Sequence, residues 1–172
     1  MTAPNVNQRD QAARQSPGGI TLPLPSPLLA MLPPGLQGFP MAWFIEPITM
    51  LAVAPGASVT NQFTIDNTHV HVSWWGSLKV RSSDNQTDRD ADPAAYAMTD
   101  TQTLGYQPPG QKIDTTLTWG NAKQPAVWPV PLIVKQNNGV ILTITNNSLA
   151  NTNNYFFGFI GCLITVPATL VF

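Results

Sequence analysis

From Trp43 to the C-terminus, Pro, Gly and Asn divide the chain into segments of strand length. Several of these alternate with period two. In ASVTNQFTID, Val59, Phe63 and Ile65 fall on one face and Ser58, Thr60, Gln62, Thr64 and Asp66 on the other, the pattern of a half-buried strand. Pro55-Gly56 makes a turn before it and Asp66-Asn67 a turn after it. Asn137-Asn138-Gly139 predicts a hairpin between VPLIVK and VILTIT. In YFFGFIGCLITV both alternating sets are apolar, so this strand is expected to be buried on both faces. Helix-length amphipathic patterns are absent, and only DPAAYAMTDT is expected to form a short helical turn. Strands without helical crossovers predict an all-β fold, an antiparallel β-sandwich over residues 42–172. A jelly roll is the first choice within that class and an immunoglobulin-like sandwich the alternative.

Residues 1–41 read differently. SPGGITLPLPSPLLAMLPPGLQGFP is rich in Pro and Gly, which favours extended, polyproline-like backbone over a helix or a central strand. Leu22, Leu24, Leu28, Leu29, Met31, Leu32, Leu36 and Phe39 nevertheless make it too apolar for a solvated linker. An extended N-terminal arm that lies against another surface is the expectation. Pro23, Pro25, Pro27, Pro33, Pro34 and Pro40 exclude a membrane-spanning helix here. The opening MTAPNVNQRDQAARQ has no apolar stretch behind a basic head, so no secretory signal is expected.

Only 10% of the residues are charged and the net charge is −1, which leaves no basic footprint for nucleic acid or an anionic membrane. Neutral Thr, Asn, Gln and Ser suit a β surface, or one covered by neighbours, because interface cores are depleted in charge. Cys162 has no second cysteine to pair with and lies in an apolar run, where a thiol acts as a small hydrophobe.

The stretch NTHVHVSWWG holds the chain's two histidines, His69 and His71. On a strand they share a face, about 6.6 Å apart, as in the His-x-His strand of cupin-like metalloenzymes. A matched carboxylate and a third histidine are missing, so three protein ligands for an open metal site are not assembled. Strict alternation puts Val70, Val72 and Trp74 on the core and His69, His71 and Trp75 outward. Exposed Trp marks a protein interface or a sugar-stacking platform. Asp88, Asp90 and Asp92 match the first three positions of a calcium loop, but Pro93 replaces its glycine and Thr99 its final glutamate. Nucleophile elbows and phosphate-cradling glycine loops are absent. No catalytic residue, cofactor or metal is assigned, and an enzyme is not expected.

The run VWPVPLIVKQNNGVILTITNNSLANTNNYFFGFIGCLI, residues 127–164, succeeds an apolar arm and a neutral Thr/Asn/Pro-rich β domain. In this it resembles accessory structural proteins of tailed-bacteriophage virions, of the β-sandwich head-decoration or head–tail type. The resemblance covers about the last 45 residues and the general arm-and-domain layout. It implies a virion component assembled in the host cytoplasm, a homo-oligomer that contacts the major capsid or connector protein and binds neither nucleic acid nor membrane. Decoration (cement), head-fibre and neck roles all fit. The arm and Trp75 would carry the interface. The alternative from another class is a carbohydrate- or receptor-binding module of a virion or cell surface, using Trp75 and the loop at 81–112.

Overall fold

The computed structural model describes residues 26–100, 113–115, 119–121 and 123–170. After a single helical turn, α1 (Ser26–Ala30), and a 3-10 turn at Pro34–Leu36, eight strands follow: β1 Met41–Val53, β2 Ser58–Thr64, β3 His69–Ser82, β4 Ala94–Asp100, β5 Ile113–Asp114, β6 Ala126–Val134, β7 Gly139–Asn146 and β8 Asn153–Thr165. They form two four-stranded sheets, ordered β1-β8-β3-β6 and β2-β7-β4-β5, and every ladder between them is antiparallel. Consecutive strands switch sheets at each step except β4 to β5. That is the strand order of a jelly roll, two Greek keys wound into one sandwich.

This winding corrects two local expectations. The Asn137-Asn138-Gly139 turn is present, with Asn137 at φ 58° and the Asn138 N–H donating to the Lys135 carbonyl at 3.2 Å. It does not close a hairpin. Its strands lie in opposite sheets, because β7 is already flanked by β2 and β4 while β6 pairs with β3. The stretch expected to turn helically is β4, where Ala94, Tyr96 and Met98 point inward at strand spacing.

Between the sheets, Ile48, Phe63, Leu142, Ile144, Phe157 and Phe159 are buried around Trp119. A second core lies on the outer face of the first sheet. There Val70, Val72 and Trp74 of β3 and Cys162 and Ile164 of β8 pack under Leu32 and Leu36, with Leu28, Leu29 and Phe39 at the margin. β8 is the strand shared by both cores, as its two apolar faces require.

The described part of the arm is therefore neither extended nor free of its own domain. Pro27 sits in the first turn of α1 and Pro34 in the first turn of the 3-10 helix, where a missing N–H costs nothing because it has no intrahelical acceptor. Proline excludes a helix interior, not a helix start.

Candidate docking face

The site follows from one irregularity in β3. Register against both β6 and β8 shifts between Ser73 and Trp75, leaving Trp74 as an extra residue. A bulge of this kind inverts which alternate residues face the interior. After it, Leu78 and Val80 face the space between the sheets, as alternation predicts. Before it the assignment reverses: Val70 and Val72 face outward into the second core, and His71 and Ser73 face inward. Opposite the bulge, β6 carries prolines at 129 and 131 and its ladder to β3 is interrupted.

His71 is thus the clearest correction to the sequence reading, which placed it outward. It is fully buried, edge-on to Phe44 and Phe63 at 5.8 and 6.0 Å, and burial pushes its imidazole down to about 4. His69 stays at the rim. Its Nδ1–H donates to Asp66 at 2.9 Å. Burial works against the Asp66 carboxylate, but hydrogen bonds from the Thr68 N–H and from His69 outweigh it and hold its pKa below the ordinary value.

The acidic loop does not converge on a cation. Lys79 Nζ bridges Asp88 and Asp90, each at 2.8 Å, and Asp90 also accepts the Val80 N–H at 2.8 Å. Asp92 turns away to accept from Asn151 and Asn153 at 3.0 and 2.9 Å. Asp88, Asp90 and Asp92 are therefore spent as internal counter-charges and acceptors, and no group of three metal-ligating side chains occurs among the described residues. Cys162 is buried beneath the arm, and burial pushes its thiol up to about 12, so it is no nucleophile. A cleft of about 310 Å³ beside Trp119 and Gln124 contains Asp90 as its only described carboxylate, already committed to Lys79.

Beside the second core, the middle of the outer face of the first sheet is apolar. By register, Ile45 of β1 stands opposite Ile160 of β8, Ile160 opposite Trp75 of β3, and Trp75 opposite Val127 of β6. One row thus crosses all four strands, with Ile45 58% and Val127 70% exposed and Trp75 half-buried. Trp43 extends it, its ring centroid 5.9 Å from that of Trp75. Of the arm residues expected to dock, Leu32 and Leu36 are consumed by the second core, Leu28, Leu29 and Phe39 are half-buried beside it, and Met31 is 42% exposed. Leu22 and Leu24 lie outside the described residues.

Sequence reasoning found Trp75 but missed Ile45, Ile160 and Val127. Glu46 is buried on the inner face, in register with Phe159, while its neighbour Ile45 is exposed. No model of a known protein family matches this chain, and comparison with curated proteins finds no relative.

Proposed function

We propose that this chain is a non-enzymatic structural protein of a bacteriophage particle, a capsid decoration, head-fibre or neck component. It docks onto other virion proteins, such as the capsid or connector protein, through its N-terminal segment and the outer face of the first sheet. The cross-strand row Ile45–Ile160–Trp75–Val127 carries this reading. A contiguous apolar strip with exposed ends at Ile45 and Val127 and a partly exposed middle at Ile160 and Trp75, as opposed to scattered single side chains, marks a contact surface. Its neighbours on that face include Gly158 and Ser77, and toward the far end Lys79 and Arg81 are paired with the acidic loop, in keeping with a chain only 10% charged. The jelly roll is a frequent capsid architecture, which supports the reading by analogy of fold alone. A strip of four side chains is smaller than the roughly 800 Å² per partner of a standard interface, so Met31 and the part of the arm before residue 26 are assigned the remaining area.

The test is co-sedimentation. The chain is expected to travel with density-purified particles from its source culture, and I45K/V127K, altered only at exposed positions, to remain in the soluble fraction. Wild-type chain found only in the soluble fraction would overturn the proposal. The tilted Trp43–Trp75 pair on the same face supports sugar stacking as a second reading. Trp75→Ala losing glycan binding, with particle association unchanged, would favour it.

A further inference from the structure

A sandwich of two open sheets has four edge strands, and an unprotected edge is a template for another strand. Two of the four are blunted here, and a third is described over two residues only. β1 carries Pro47 and an irregularity between Met50 and Val53, with Ala52 at φ 52°. β6 carries prolines at 129 and 131. β5 is described as two residues long. β2 alone, Ser58–Thr64, has no proline, no charge and no break in its seven-residue ladder to β7.

Its backbone groups can be assigned by parity. The Ala57 carbonyl accepts from Asn146 N–H at 3.0 Å and the Ile65 N–H donates to the Asn138 carbonyl at 2.7 Å, so the odd-numbered residues point at β7. The even-numbered groups, at Thr60 and Gln62 in the centre, therefore point out from the edge. The Gln62 N–H is covered by its neighbour's side chain, Asn61 Oδ1 at 2.8 Å, whose Nδ2 donates to the Thr49 carbonyl of β1 at 2.9 Å. Among the described residues no second strand pairs with β2.

We infer that β2 is a homotypic pairing edge, which joins antiparallel to β2 of a second copy across a two-fold axis through Asn61. The sequence SVTNQFT is chemically palindromic about that residue. The axis sets Thr60 opposite Gln62 of the second copy, Ser58 opposite Thr64, and Val59 opposite Phe63. Hydroxyls and amide then lie together on the outer face, where Thr60 and Thr143 are already hydrogen-bonded at 2.8 Å, and Val59 and Phe63 lie together toward the core. The Thr60 and Gln62 backbone groups meet in the hydrogen-bonded pairs of an antiparallel ladder, and Gln62 N–H exchanges Asn61 Oδ1 for the Thr60 carbonyl of the second copy. The absence of charge means that two identical strands meet without repulsion. Such an interface is isologous and closes at two copies. It stands apart from the virion proposal, whose test variant I45K/V127K leaves this edge untouched.

The experiment is the mass of the full chain in solution, by light scattering or sedimentation. Wild type is expected at twice the 18.6 kDa chain mass. T60K/Q62K sets introduced lysines opposite one another and is expected to weaken pairing at least tenfold. T60K/Q62E makes the same number of changes but sets each introduced lysine opposite an introduced glutamate, and is expected to restore the dimer. Both positions are exposed, and circular dichroism and thermal unfolding verify that each variant folds. A wild type that stays at 18.6 kDa at every concentration, an assembly that T60K/Q62K leaves unchanged, or a failure of T60K/Q62E to restore pairing each overturns the inference.

Discussion

His71 shows what a single-residue shift in a strand does to chemistry. Had β3 run without its bulge, the imidazole would sit on the outer face. Instead it is enclosed by Phe44 and Phe63, with Ser73 Oγ 3.5 Å from Nε2, and a charged ring there would lose its hydration without gaining a carboxylate. Its pKa is lowered from 6.5 to about 4 by burial. The unfolded chain therefore binds a proton that the folded chain refuses. In the window between those values the unfolded state holds more protons, so stability rises with pH and is lost as pH falls from about 6.5 toward 4. The full difference is on the order of 3 kcal/mol. Urea unfolding across this window should show the slope in wild type and a flatter profile in His71→Gln. Parallel profiles for the two would remove His71 as the cause.

At the scale of elements, the chain's asparagines act as joints between strands. Asn154, near the start of β8, donates from Nδ2 to the Ser82 and Ser83 carbonyls at 3.2 Å and to Asn85 Oδ1 at 2.8 Å, while its Oδ1 accepts from Ala52 N–H at 2.6 Å. It binds the end of β3 to the left-handed kink in β1, and it is buried. Asn154→Leu keeps the volume but strands those backbone groups, at a cost of about 1–3 kcal/mol for each buried group left without a partner. Asn147→Ala, at an exposed position in the connection from β7 to β8, is expected to cost under about 0.5 kcal/mol. Equal midpoints of urea unfolding for the two variants would contradict this.

Strand existence was legible in the residues because burial imposes period two: Phe63 and Ile65 point inward, and β8 is apolar on both faces because it has a core on each. The bulge was not legible. In HVHVSWW the alternation of Val with His and Ser, followed by two tryptophans, satisfies either register until neighbouring strands impose one. The hairpin at Asn137–Gly139 failed for a related reason, since a turn motif determines local geometry but not the sheet to which each strand is recruited. The docking row shares this limit: Ile45, Ile160, Trp75 and Val127 are brought into line by register across four strands, which no local pattern encodes.

For the whole molecule, Leu32 and Leu36 of the arm pack into the second core, and this changes what a truncation measures. Removing residues 1–40 would strip Leu32 and Leu36 from Val70, Val72, Trp74, Cys162 and Ile164. Each of those leucines contributes about 1.5–3 kcal/mol by burial, and the uncovered face becomes an aggregation surface. Loss of particle association by the chain lacking 1–40 would report damage to the second core as much as loss of a docking arm. A cut after residue 25 keeps α1 and the 3-10 turn in place. Cys162 distinguishes the two, because its thiol lies in the second core and burial holds it protonated to about 12. With an aromatic disulfide reagent at neutral pH, the full chain and the chain lacking 1–25 should react at the same slow rate. The chain lacking 1–40 should react at least tenfold faster, because the thiolate becomes accessible. Equal rates for all three would mean that residues 26–40 do not cover Cys162, and the second core would have to be abandoned.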